Sequence, residues 1–314
     1  MAIKVSNNAV LLLLGAMFVG VALGAAGAVI AHYFRLGINL ISVVFEKPQT
    51  FFQTFILYNF TLGLAVFLIL WLKKISKASE WHGPADSIYS VHRIDNEINV
   101  KLGIFSTVAA FISASGGASV GQYGPLVHLG ATIGSWVKTK VSLNFSTDVF
   151  IGAGIAAAIS AGFGAPFAGI IFAHEAILRH FAFKALAPIA IASTVSFGIT
   201  QAVWPTVPFF EQTVLSETIS LMILVSCLVG PVFGLIAVLF MKSLLFFASL
   251  PRVLNLRQIH SAAIMVLSLS LIGAFVPGVM GLGSETLGSL IQEKTLLLTV
   301  LLILFGKIIA TSIS

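Results

Sequence analysis

The chain has a single cysteine, Cys227, in 314 residues, which excludes an intramolecular disulfide and any cysteine-built metal cage. In its apolar run that thiol is expected to be inert packing. Charge is also scarce: Asp, Glu, Lys and Arg make up 9% of the residues against 58% hydrophobic ones. With a mean hydropathy of +1.05, the polar surface is too small for a water-soluble globule. The solvent of most of this surface is therefore lipid. No charged or Ser/Pro-rich linker breaks the pattern, so a single integral membrane domain is predicted over 1–314, without an appended soluble module. Nucleophile–base pairs, P-loops and dinucleotide fingerprints are missing too, so neither enzyme activity nor a cofactor is expected.

What charge there is gives a net +6, yet it does not point to nucleic acid. The cations stand in short clusters beside apolar runs: Lys73, Lys74 and Lys77; Lys138 and Lys140; Arg252 and Arg257. Such clusters mark cytoplasmic loops. The first follows the second apolar run, which puts the amino terminus on the cytoplasmic side as well. MAIKVSNN leads into an apolar stretch with no small-residue cleavage site, so a retained first span is predicted.

Apolar runs recur at Val10 to Ile30, Phe51 to Leu72, Ile151 to Ile177, Ile219 to Phe240, Ile264 to Val276 and Thr295 to Ile309. A full span needs about 20 residues, so the shorter runs predict half-spans. A shift of about 200 residues aligns Gly83 in WHGPADSI with Gly283 in GLGSETLG, and Phe105 with Phe305. Two repeats follow, about 1–202 and 203–314. In the first, a Ser-rich end runs into GGASVGQYGPLVHLG; in the second the sequence stops at Ser314, where the counterpart is due, so an incomplete second repeat is expected.

Gly116, Gly117, Gly121, Gly124 and Pro125 are too many helix breakers for an uninterrupted span, while Leu126 to Trp136 is helix-compatible again. This predicts a helix that starts at membrane depth. Proline suits the first turn, and the glycines leave backbone N–H groups unobstructed. Those amides and the positive helix end attract an anion, and irregular backbone at this depth requires a protein interior or a water-filled path. Close helix packing through small residues is the other reading. It is preferred for Gly130 and Gly134 and for Gly152, Ala156 and Ser160, whereas Gly121 to Pro125 point to an ion path.

GASVGQYGPLVHLGATIGS resembles the CLC chloride channel and transporter family, whose signature is Gly-Arg-Glu-Gly-Pro followed by a small-residue helix. GAGIAAAISAGFGAPFAGIIFAHEAI is similar to that family's next helix pair. The resemblance, to bacterial-type members without a regulatory domain, covers essentially the whole chain. It implies an all-α polytopic membrane protein, a CLC-like inverted repeat with broken half-helices, in a bacterial inner membrane. It also implies transport of chloride or a similar small anion by a homodimer in the lipid bilayer, with part of the dimer surface at Ala168 to Arg179 and Ala187 to Ala202.

The pathway positions implied are Gly83, Pro84, Gly121, Gln122, Tyr123, Gly124 and Pro125. Departures from the family pattern decide the mechanism. The glutamate that gates family transporters is here Tyr123, a phenol that is neutral at ordinary pH and can donate a hydrogen bond to an anion. The alternative is a tyrosine packed between helices with its hydroxyl satisfied. The internal proton-carrying acid is replaced by Ala176, with Glu175 matching the preceding structural position. Both losses favour channel-like conduction over proton-coupled antiport. The Gly-Ser-Gly-Ile-Pro signature reads Gly83-Pro84-Ala85-Asp86-Ser87, and proline in place of its serine leaves nitrate open beside chloride. Asp86 is expected to cap a helix that begins near Ser87. Without the segment after Ser314 about half of the implied site is missing, which leaves a non-conducting fragment as a third reading.

His174 and Glu175 do not form a zinc motif, because position 178 is Leu178 and His180 is off the helical face; no metal site is expected. A Glu175 satisfied by backbone amides or His174 is predicted instead. His128 is expected to be packed and bonded to a carbonyl.

Overall fold

The chain folds into helices wherever the apolar periodicity allows, and breaks them where glycine and proline cluster. The computed structural model describes residues 7–45, 50–93, 97–205, 219–292 and 296–314. The first residues of MAIKVSNN, through Ser6 and including Lys4, lie outside the described residues. In chain order the helices are α1 (Asn7–Ser42), α2 (Phe51–Ser76), α3 (Pro84–His92), α4 (Val100–Ser115), α5 (Tyr123–Lys140) and α6 (Thr147–Phe163). They continue with α7 (Pro166–Phe172), α8 (Phe183–Val203), α9 (Ile219–Val253), α10 (Gln258–Phe275), α11 (Ser284–Gln292) and α12 (Leu297–Ile313). Five of them, α1, α2, α8, α9 and α10, are long and apolar enough to cross a membrane. The order long helix, long helix, short helix, apolar helix of 16 or 17 residues recurs, from α1 to α4 and again from α9 to α12. The short members α3 and α11 have 9 residues each. Gly83 precedes the first and Gly283 the second, as the sequence shift predicts.

The described residues form two compact units that interleave along the chain. One lies within Met1–Ile41, Leu68–Ile112 and Gly121–Val207, the other within Ser42–Phe67, Ser113–Val120 and Pro208–Ser314.

In the first unit α6 is the core. From Ile151 to Gly162 it consists of Gly, Ala, Ser and Ile, and its residues from Val149 to Gly162 are all buried. Only such small residues let α5 approach so closely: a Cβ added to Gly130 would meet the Gly154 carbonyl, and one added to Gly154 would meet the Gly130 carbonyl. The packing reading of Gly130 and Gly134 is therefore what the structure shows. Hydroxyls tie α6 to its other neighbours. Ser160 Oγ donates to the Ser193 carbonyl at 2.6 Å, Ser193 Oγ to the Pro166 carbonyl at 2.7 Å and Ser196 Oγ to the Ala157 carbonyl at 2.8 Å. The apolar run from Ile151 to Ile177 is not one helix. Gly164 ends α6 at φ 65°, the left-handed position that glycine takes without strain, and Pro166 opens α7.

After α7 the chain winds one π-helical stretch, Ala173–Leu178, closed by Arg179 at φ 57°. The wider turn corrects the expectation for Glu175. His174 is buried, its Nδ1 3.0 Å from the Ile170 carbonyl and its ring stacked on Phe181. Glu175 instead turns outward and is exposed. His180 pairs with Asp148 at 3.5 Å.

The second unit is organised by a cation. Lys307 of α12 is half-buried, and its Nζ donates to the Val279 carbonyl at 3.0 Å and the Gly281 carbonyl at 2.7 Å. Val279 O also accepts from Ser119 Oγ at 3.0 Å, and Gly281 N–H donates to the Gly117 carbonyl at 3.2 Å. Lys307 thus pins the turn before α11 to the glycine-rich loop. Lys307→Met keeps the stem but strands the Gly281 carbonyl, and should cost about 2 kcal/mol, the scale of one charge-assisted hydrogen bond. A thermal melt of purified protein in detergent reads that loss. Cys227 lies in this unit on α9 and is exposed, not packed as expected, because the surface of α9 is almost wholly uncovered.

Candidate anion site

Two of the helix starts in the first unit meet. Gly83 and Pro84 open α3, Gly124 and Pro125 lie in the first turn of α5, and a Cβ built on Gly124 would lie 3.5 Å from Pro84 Cγ. In α3 the proline occupies the first helical position, where its missing N–H is not needed. The helix therefore begins at Pro84 and not near Ser87, and Asp86 does not precede it. From within the first turn Asp86 Oδ2 reaches back to accept the Gly83 N–H at 2.7 Å. The capping role stands, but by a different geometry. Its consequence is electrostatic: the positive end of α3 already holds a carboxylate.

The start of α5 is different. No acidic residue sits in its first turn and no side chain caps it, so its leading amides and dipole are uncompensated. Gly121 is exposed, and nothing lies within 4 Å of where a Cβ would be. Gln122 is buried, and its Oε1 has no hydrogen-bond partner. Since amide oxygen and nitrogen positions are interchangeable in assignment, either end of that group can face the gap. Tyr123 lies with its ring stacked on Phe163 of α6, centroids 3.9 Å apart and planes 26° apart. Its hydroxyl is buried and unpartnered. Leaving a buried hydroxyl unpaired costs about 1 to 3 kcal/mol, so the ring stack, and not a hydrogen bond, is what holds this phenol in place.

Beside the start of α3 is a cavity of about 530 Å³ lined by His82, Asp86, Arg93, Glu97, Asn99 and His128, among others. His128 is buried at 1% exposure. Its Nδ1 is 2.7 Å from Ser87 Oγ, a hydroxyl and not the carbonyl expected, because the first turn of α3 brings Ser87 against α5. His128 Nε2 has no partner, and the His82 ring is 6.3 Å away. His82 is fixed through its backbone N–H, which donates to Ser106 Oγ at 2.9 Å.

The profile of the voltage-gated chloride channel family matches residues 62–314. The chain belongs to this family. The CLC chain is 24% identical over 255 residues to a voltage-gated ClC-type chloride channel of Escherichia coli, covering 79% of this chain and 59% of that protein. A channel of the same name from Yersinia pseudotuberculosis is 24% identical over 131 residues, 42% of this chain and 32% of the relative. The chain thus spans less than two thirds of the length of these relatives. Among solved structures, a CLC-type fluoride/proton antiporter superposes with a TM-score of 0.77 at 19% identity, covering 99% of this chain and 77% of that one. A slow cyanobacterial Cl⁻/H⁺ antiporter gives 0.75 at 15% identity, over 96% and 73%. These likenesses establish the fold: all-helical, membrane-embedded and CLC-like, as the resemblance implies.

All seven pathway positions expected from sequence, Gly83, Pro84, Gly121, Gln122, Tyr123, Gly124 and Pro125, fall at these two helix starts. Sequence reading passed over His82 and Phe163, and took Ser87 only as the end of a motif and a helix start. His82 directly precedes Gly83 and Phe163 ends the Ala-rich helix, so only the neighbouring motifs could have signalled them.

Proposed function

We propose that the protein carries chloride or a similar small anion past the start of α5, by channel-like passive conduction. The unpartnered hydroxyl of Tyr123 supports this reading most strongly. It stands where the family's transporters have a gating carboxylate, beside uncompensated backbone amides, and a phenol donates to an anion without competing with it. The pathway residues of this reading are Gly83, Pro84 and Gly121 to Pro125, with Tyr123 at the gate position. Residues 1–202 and 203–314 are read as the two repeats, and Pro84 keeps nitrate within the range of substrates. A homodimer in a bacterial inner membrane is part of the proposal; the exposed Phe167, Ile171 and Phe172 of α7 supply an apolar face for it.

Proton-coupled antiport is the second reading. It is favoured by the His82, His128, Asp86 and Glu97 lining of the inner cavity, which offers proton carriers in place of the missing carboxylates. Reconstitution of the full-length protein in liposomes separates the two. Channel conduction predicts chloride flux that drives no uphill proton movement; proton accumulation against its gradient, driven by chloride, would decide for antiport.

A further inference from the structure

One charged side chain stands near this site on another helix. Arg35 belongs to the carboxyl-terminal part of α1, past the apolar run that ends at Ile30, and is half-buried. Among the described residues it has neither a hydrogen-bond partner nor a carboxylate paired with it. An ionisable group within a membrane span is costly and needs a partner. With the amino terminus cytoplasmic, as the lysine clusters predict, the carboxyl end of α1 faces the opposite side, where retention of cytoplasmic positive charge does not account for an arginine.

The packing of α1 shows where Arg35 stands. Ile30 of α1 and Leu126 of α5 line one narrow gap, together with Gly27 and Gly130. Arg35 is little more than a helical turn beyond Ile30, and Tyr123 is about one turn before Leu126. The two side chains are within electrostatic range of each other. Three polar groups without a partner among the described residues therefore gather at the start of α5: the Arg35 guanidinium, the Tyr123 hydroxyl and the Gln122 amide oxygen. The family signature carries an arginine at the position of Gln122, so this chain has lost a positive charge from the motif itself.

We propose that Arg35 supplies the fixed positive charge that holds a small inorganic anion beside the Tyr123 hydroxyl, in place of the arginine the signature lacks. This rests on the anion-conduction reading above. A guanidinium in a low-dielectric site attracts an anion several ångströms away without having to touch it, and raises the local anion concentration most when bulk anion is dilute.

The test is flux through liposomes containing the full-length protein, measured across chloride concentrations. Arg35→Gln should raise the chloride concentration for half-maximal flux roughly tenfold, while Arg35→Lys stays within about twofold of wild type. An unchanged Arg35→Gln, or an Arg35→Lys equally impaired, would overturn the assignment. To deliver charge after folding, Arg35→Cys is made with Cys227→Ser. A cationic methanethiosulfonate should restore affinity and an anionic one should lower it further; identical responses to both reagents count against the proposal. Wild-type protein with no anion flux would instead defeat the conduction reading itself.

Discussion

Replacing Tyr123 by glutamate is expected to turn a nearly pH-independent flux into one that rises about tenfold or more as pH falls from about 7.5 to about 4.5. A carboxyl titrates near about 4.3 in water and higher when desolvated, so the side chain at this position is an anion at the upper end of that range. There it competes with the permeant ion for the α5 amides. Protonation removes the competitor, and the sign follows: block at neutral pH, relief in acid. Wild-type protein carries a phenol here, which offers a hydrogen-bond donor and no carboxylate. Glutamate loses the stack on Phe163, but its backbone stays in the first turn of α5, so the carboxyl group starts from the same place. Tyr123→Phe is the companion variant. It keeps the stack and removes the donor, and should lower anion affinity without adding pH dependence. A flat pH response in Tyr123→Glu would mean that the side chain faces protein and not the path.

The second large effect lies in packing. Gly154→Leu forces a side chain into the Gly130 carbonyl across the α5–α6 contact. Backbone stands opposite, so no flexible neighbour can yield, and overpacking of this kind reaches about 3 kcal/mol or more. The helices would have to separate, displacing α5 and the anion site at its start. Gly198→Leu is the control. Gly198 is an exposed glycine in α8 with nothing within 4 Å of an added Cβ, and a leucine there should cost nothing and gain slightly in helix propensity. Size-exclusion profiles and melting temperatures in detergent distinguish the pair. Equal stability of the two variants would show that the α5–α6 glycines are not at a tight contact.

Much of the membrane architecture was legible in the sequence because lipid simplifies the code. Apolar length marks spans, and glycine with proline marks the breaks, so Gly121 to Pro125 stand out from composition and spacing, whereas Gly83-Pro84 is singled out by the repeat shift and the family resemblance. What was not legible depends on third dimensions of packing. Glu175 was expected to be satisfied internally, but the π-helical stretch from Ala173 to Leu178 rotates it outward, and no residue in that stretch announces a π turn. Asp86 was assigned the right task at the wrong helical position, since proline marks the helix start more reliably than aspartate does. The Ser87–His128 contact spans 41 residues and has no local signature. Arg35 was invisible for the opposite reason: a lone arginine past the end of an apolar run gives no hint of its neighbours until α1 is seen against α5.

The central claim is that an anion binds at the Tyr123 hydroxyl where α5 begins. Anomalous diffraction from crystals of the full-length protein soaked in bromide tests it most directly. The account predicts a bromide peak within hydrogen-bonding distance of Tyr123 Oη and close to the leading amides of α5. It would be contradicted by a Tyr123 hydroxyl bonded to a protein group, with bromide bound elsewhere and none at this helix start.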